Sequence, residues 1–388
     1  MKSLKTTSII FLFLFLLTLK LFSQEITDNA KISILTCGPG KELYSAFGHS
    51  AIRVQDNLIG IDYVYNYGTF NFAAPNFYLK FAGGRLDYFL KTLTYNHFIQ
   101  DYITEKRWVK EQVLSLNFQK KTDIFNFLQK NALPENKYYR YDFFFDNCAT
   151  RIKDVLKQTL KENLILGNSE TNNESFRELY TKYLKYNKWG RFGINLGLGS
   201  ITDRVVTNEE SSFLPDYLSE IIKNPKLVID GKTQNLVKEE VLLFMPEETS
   251  KDKTDLFSPE ILFWSILLIF VLIFIYEEIK KRHFILIDKF VFFIFGILGV
   301  LLLVLWTATD HSTVVNNWNL IWAIPTHFIV TFFINKKKSK LLKVYFYFSL
   351  FLGICGLVFC LVNILPQEYD PAFFPIILLL VLRSYRNI

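Results

Sequence analysis

The sequence predicts an α+β exported domain followed by a polytopic α-helical membrane domain of about five spans. Three observations predict it. The N-terminus carries Lys2 and Lys5, then the apolar run "SIIFLFLFLLTL" (8–19), then "KLFSQE". A basic start, a short apolar stretch and a small residue before a plausible cut make a secretory signal over 1–23. Residues 24–250 mix polar and apolar positions, whereas 257–388 are mostly Leu, Ile, Phe and Val broken by short polar loops. The third observation is the sign of those loops. "KKRH" (280–283), "KKKSK" (336–340) and the tail "RSYRNI" hold the lysines and arginines, while "TATDHSTVVNN" (307–317) and "PQEYDP" (366–371) have none. Basic loops stay on the cytoplasmic side, so the second pair of loops faces outward with the exported domain, and the C-terminus is cytoplasmic.

The exported half reads as strands with helices between them. "KISILTC" (31–37) is a strand ended by the turn "GPG", "SAIRVQD" (50–56) is a second, and "IDYVYNYGTF" (61–70) a third, rich in β-favouring Tyr, Val and Ile. Aromatic residues recur at helical spacing over 74–90, interrupted by Gly83-Gly84. "RWVKEQVLSLNF" (107–118) alternates like a strand, and 120–133 has a helical period that stops at Pro134. A helix from Asp146 or Asn147 to about Lys161 follows, either residue serving as cap. Beyond the polar loop 168–175 come a helix near 176–186, a glycine-rich turn region over 189–204, a helix starting at "FLPDYL" (213–218) and a charged linker over 245–256. In the membrane half the apolar stretches are 259–277, 284–306, 318–335, 342–365 and 371–383, most of them near the ~20 residues that span a bilayer. The net charge of +7 is concentrated in the cytoplasmic loops. It is a topology signal, and nucleic-acid binding is not expected.

Four cysteines are present, and Cys355 and Cys360 lie in an apolar span. The exported pair, Cys37 and Cys148, reads either as a disulfide or as one reactive thiol with a bystander. Cys148 follows "FFFDN" at the start of a helix, where backbone N–H groups and the dipole favour thiolate. His49, in "AFGHSAIRV", stands just before a strand and is one of two histidines in the exported domain; His97 is the other. A helix-mouth cysteine with a strand-borne histidine is the arrangement of papain-like enzymes, and the order His then Cys belongs to their circularly permuted branch. Cys37, at a strand end close to His49, is the rival nucleophile. A third group should orient His49, and Asn66 or Tyr67 on the neighbouring strand is the expectation. Asn147 is a further orienting or oxyanion candidate, beside the Cys148 backbone N–H. Asp310, His311, Asn316 and Asn319, at the outer face of the membrane half, and Arg151 are candidate substrate-binding residues. The aromatic set Phe70, Phe72, Phe77, Tyr78, Phe81, Tyr88 and Phe89 reads as core or as an acyl-chain or membrane-facing surface. His and Cys are too few, and wrongly spaced, for a metal site.

"LTCGPGKELYSAFGHSAIRV", "YNYGTF", "FFFDNCATRIKD" and "FLPDYL" together resemble the bacterial Lnb N-terminal periplasmic domain, and 307–327 and 370–385 extend the resemblance into the membrane half. The resemblance implies a circularly permuted papain-like fold of the NlpC and lecithin:retinol acyltransferase type. It implies a lipoprotein N-acyltransferase of the inner membrane, with a phospholipid acyl donor, a diacylated lipoprotein acceptor and no cofactor. The family's thiol and imidazole map onto Cys148 and His49, and the sequence departs from the family at Asp142 and Asn195. The alternative reading of the same dyad is a membrane-tethered cysteine peptidase or amidase acting on cell-wall peptide, with water as acceptor.

Overall fold

The computed structural model describes residues 25–171, 173–223, 226–229, 232–247, 257–335, 339–362 and 366–388. The expected signal (1–23), most of the linker and the basic residues 336–338 lie outside the described residues. The exported half is built on a seven-stranded sheet in which every neighbouring pair is antiparallel. Its strands are β1 (Lys31–Cys37), β2 (His49–Asp56), β3 (Ile61–Thr69), β4 (Asp87–Thr94), β5 (Val109–Leu114), β6 (Tyr138–Arg140) and β10 (Val237–Phe244), in spatial order β10-β5-β1-β2-β3-β4-β6. The short strands β7 (Leu164–Ile165), β8 (Lys226–Ile229) and β9 (Lys232–Asn235) form a separate sheet.

Period-two alternation divides the large sheet between two cores. Ile32, Ile34, Ile52, Val54, Tyr65 and Tyr67 face one side and are covered by helix α3 (Phe118–Ala132) and helix α4 (Cys148–Leu160). Leu35, Cys37, Ala51 and Val64 face the other, under Phe98 and Tyr102 of helix α2 (Tyr95–Thr104). A third cluster gathers Phe144, Phe176, Tyr180 and Phe213, with Phe143 packed against it. The phenylalanines before Cys148 therefore mostly fill a core.

Two stretches depart from expectation. Over 74–90 only α1 (Phe77–Ala82) is helical, and Gly83-Gly84 ends it so that 87–94 joins the sheet as β4. The glycine-rich 189–204 segment contains helix α6 (Lys188–Gly197), its first turn capped by Asn187, whose side chain accepts the Gly190 N–H. Tertiary packing against the membrane half outweighs the low helix propensity of glycine there. The remaining exported helices are α5 (Phe176–Tyr183) and α7 (Pro215–Lys223).

In the membrane half, α8 (Pro259–Lys280), α9 (Ile285–Ala308) and α11 (Lys340–Val362) are long and apolar enough to cross a bilayer. The expected spans 318–335 and 371–383 are shorter or less regular. The first is broken into 3₁₀ turns around the short α10 (Thr326–Val330), with Pro325 at its head. The second is α12 (Phe373–Arg386), whose 14 residues extend ~21 Å against the ~30 Å of a hydrocarbon core. Its end is fixed by charge: the buried Arg383 bonds Glu277 of α8 at 2.8 Å and also pairs with Asp288 of α9. Asn387 donates to the same Asp288 at 2.8 Å. A buried charge persists only when paired in this way.

The two halves are joined by their polar loops. Gly199 and Ser200 N–H groups donate to the Thr313 and Asn316 carbonyls, and the Asn317 amide to those of Leu196 and Gly197. Arg191 bonds Asp370 at 3.0 Å and also pairs with Glu260, and Asn195 donates to Asp370 at 2.9 Å.

Candidate active site

Three chain segments meet where β1 ends, β2 begins and β3 ends. Gly48 turns the chain into β2 with a φ of 79°, and a Cβ there would stand 2.8 Å from the Cys37 carbonyl oxygen. Only glycine fits that hook, and the next residue is His49. On β3 the ladder to β4 is irregular between Asn66 and Thr69, and Gly68 has a φ of 84°. A Cβ on Gly68 would lie 3.4 Å from Cys148 Cβ and 3.8 Å from His49 Cε1. Those are ordinary contact distances, so it is the positive φ rather than space that favours glycine where the thiol and the imidazole meet.

The N-terminus of α4 is closed by Asn147. Its Oδ1 accepts the Ala149 and Thr150 N–H groups at 2.8 and 2.9 Å, and its own N–H donates to Thr150 Oγ1 at 2.7 Å. Both amide hydrogens are committed as well, to the Phe143 and Phe213 carbonyls at 2.7 Å each. Asn147 is thus a cap with no free donor. The oxyanion role considered for it does not fit this geometry, whereas the cap leaves the Cys148 N–H untouched.

His49 Nε2–H donates to Asn66 Oδ1 at 2.5 Å. That bond leaves Nδ1 as the second ring nitrogen, and the ring and the Cys148 thiol act on one another electrostatically. Between the two orienting candidates the distinction is clear: Tyr67 is buried in the core on the α4 side, against the Tyr139 ring. Burial of Cys148 opposes the thiolate. The His49 charge and the N–H groups of Ser50 and Ala149 outweigh that cost and hold the thiol below its ordinary pKa. Burial likewise opposes a charged His49, but Cys148 and the Asn66 bond raise it above the usual imidazole value. Both shifts favour a thiolate–imidazolium pair.

Cys37 sits opposite His49 in the β1–β2 register, yet it packs among Leu35, Val64 and Phe98 and is wholly buried. Burial pushes its thiol up to about 12, against the opposing pull of Arg107 and the Tyr102 hydroxyl. Both exported cysteines are free thiols, so the disulfide reading does not hold.

The other candidates serve as ties. Arg151 pairs with Asp146 and lies 4.0 Å above the Tyr139 ring. Asp310 pairs with the Arg85 guanidinium, which holds its carboxyl below the usual range, and its N–H donates to the Gly83 carbonyl at 2.9 Å. His311 donates to the Phe81 carbonyl at 3.1 Å. Asn319 is buried and donates to the Leu196 carbonyl at 3.1 Å, and the Asn316 carbonyl accepts from Ser200. Asp310, His311 and Asn319 are thus tied to the exported half, while Asn316 is exposed and lines an open cavity with Ser200, Trp306 and Trp318. Asp142 and Asn195 take part in the same ties, bonded to Ser312 and Asp370. Among the described residues no three His, Cys, Asp or Glu gather as metal ligands.

Sequence reasoning missed Gly68 and Tyr141. The ring of Tyr141 stands 3.8 Å from where a Gly68 Cβ would be. For Gly68 the signal was present: glycine late in a β-favouring strand marks an irregularity or a close approach.

Residues 21–181 match the family described as the Lnb N-terminal periplasmic domain, and residues 251–388 match the Lnb transmembrane domain. No curated protein and no solved structure gives a match.

Proposed function

The chain belongs to the Lnb family, with a periplasmic N-terminal domain and a transmembrane domain, and from that premise we propose that it is a lipoprotein N-acyltransferase working through Cys148. The observation that carries the proposal is the meeting of the Asn66-bonded His49 ring with Cys148 beside Gly68, at the N-terminus of α4. A thiolate beside an imidazolium, with a third group orienting the ring, is a nucleophile ready for acyl chemistry. The exported sheet with its helix-borne thiol supports a circularly permuted papain-like fold. The membrane half supports a substrate pair that both reside in the bilayer.

In the first half-reaction the Cys148 thiolate attacks an ester carbonyl of a phospholipid. The tetrahedral oxyanion is met by the Cys148 N–H at the helix start. As the carbon–oxygen bond breaks, His49 gives its Nδ1 proton to the departing lysophospholipid oxygen, leaving a thioester and a neutral imidazole. In the second half-reaction the α-amine of a diacylated lipoprotein cysteine attacks the thioester. His49 takes a proton from that amine, the carbon–sulfur bond breaks, and an amide and the thiolate–imidazolium pair result. The cycle is a ping-pong transfer without net proton change. Asn66 acts as a positioning residue through its bond to Nε2.

The test is mass spectrometry of a lipoprotein N-terminus from cells whose sole copy is wild type or Cys148→Ser. The third acyl chain should be present in the first and missing in the second. A chain that persists in the mutant overturns the mechanism. Release of cell-wall peptide fragments by wild type alone, with no change at the lipoprotein amine, would favour the hydrolase reading.

A further inference from the structure

The aromatic strip that leaves β3 after Gly68 takes no part in the chemistry above. Phe70, Phe72 and Phe77 of this strip form a ring cluster, with Phe70–Phe72 centroids 4.8 Å apart and Phe72–Phe77 5.1 Å. Around it Tyr44, Phe72, Tyr78, Leu79 and Phe81 are 66, 62, 81, 75 and 54% exposed. Contiguous exposed apolar side chains on this scale mark an interaction surface.

Two observations say what covers it. The first is position. Span α9 ends at Ala308, and two residues later Asp310 N–H bonds Gly83 while His311 bonds Phe81, so α1 is tied to the outer mouth of a membrane helix. That is the headgroup level, where Tyr and Trp side chains concentrate in membrane proteins. The second is continuity inward. Phe70 meets Tyr88 at 5.2 Å, and Tyr88 stacks on Tyr141 at 4.3 Å. Tyr141 in turn borders Gly68, against which Cys148 packs. A chain of rings therefore runs from the exposed strip to the thiol.

We propose that the 70–81 segment inserts into the periplasmic leaflet of the bilayer and that the Phe72–Phe70–Tyr88–Tyr141 ladder is the path by which a phospholipid acyl chain reaches Cys148. Insertion stands on the exposure and the tie to α9. Only the identity of the traveller rests on the acyl-transfer reading. Inserted side chains replace water with lipid tails on one face, and burial of large apolar side chains is favourable. The same rings then offer a continuous apolar wall, so a lipid tail leaves the leaflet without crossing water.

The experiment uses the full chain in vesicles of phosphatidylethanolamine and phosphatidylglycerol with a tritiated tracer. A benzophenone amino acid replaces either Tyr78 or Leu58. Leu58 is also exposed, at 67%, but lies in the turn between β2 and β3 at the far end of β2 from His49. Irradiation should attach labelled lipid at 78 and leave 58 unlabelled; equal labelling, or none at 78, overturns insertion. For the path, Phe70→Ser and Tyr88→Ser should each raise the apparent KM for phospholipid by about tenfold or more, a loss of ground-state binding. Cys148 should still react with iodoacetamide within about twofold of the wild-type rate, which shows that the dyad is folded. Unchanged KM in both variants overturns the path. If wild type transfers no acyl chain, the function fails instead, and the 78-against-58 contrast still reports on insertion.

Discussion

Cys148 and Cys37 occupy two ends of one small region and are both buried, yet their thiols are pushed in opposite directions. Cys37 closes β1 with a core on its side of the sheet, where a charged sulfur has no solvent and weak compensation. Cys148 opens α4, where the imidazole and two backbone N–H groups supply what water would have supplied. The contrast teaches that burial sets a cost common to both residues, and that the partner and the backbone direction decide which thiol ionises. Proximity to His49 along the chain, which favoured Cys37, carries less weight than the side of the sheet each sulfur packs against.

The sharpest way to break this comparison is to exchange the losses. Cys148→Ser should lower acyl transfer by at least about 10³-fold, as removal of a nucleophile does elsewhere. Cys37→Ser should stay within about threefold of wild type, because its sulfur is packed in an apolar core with its thiol raised. Mass spectrometry of the lipoprotein product reads both, and the opposite ranking would make Cys37 the nucleophile.

Removing the base comes next. His49→Ala should cost about 10²–10⁴ in rate, the range of general acid–base contributions. It should also move the pH at which half of Cys148 is alkylated upward. The sign follows from the lowered folded-state thiol pKa: the thiolate is present above that value and is lost as pH falls through it, and without the imidazolium the value rises. An alkylation midpoint that stays in place would separate His49 from the thiol.

Asn66→Ala is a milder change, about tenfold in rate. Its signature is the pH profile. The bond to Asn66 raises His49, so its loss should shift the imidazole midpoint down, measured by NMR of the labelled ring. Asn66→Gln, which keeps a carbonyl, should recover part of both effects.

The smallest expected effect tests the helix end itself. Asn147→Ala removes a cap and should destabilise the exported half by about 1–2 kcal/mol in thermal unfolding. The thiol midpoint should rise only slightly, since the N–H groups around Cys148 remain.

Much of this region was legible from residue types alone. Cysteine at a capped helix start and histidine at a strand start mark a candidate dyad, and the resemblance carried by the quoted motifs to the Lnb domains is matched by the family comparison over 21–181 and 251–388. The choice between Asn66 and Tyr67 was not legible. Alternation separates the two faces but cannot say which face a neighbouring strand's histidine shares. The outer-loop residues Asp310, His311, Asn316 and Asn319 were placed on the correct side by charge bias, while their partners lie more than a hundred residues away in sequence. Hydropathy marked 318–335 and 371–383 as apolar stretches, the second of them short, but it sums apolar character and is blind to the break at Pro325 and to the buried pairing of Arg383.

The bonds that tie residues 195–200 to 313–319, and Arg191 to Glu260 and Asp370, have one more consequence. They hold the exported half, and with it the thiol, in one position against the membrane half. In the proposed reaction the enzyme then works as a depth gauge: an amine held at the surface by its own glyceride tails arrives level with the thioester, while amines on soluble chains pass at the wrong altitude. Under that proposal, selection of the acceptor is a matter of elevation rather than of reading the protein attached to it.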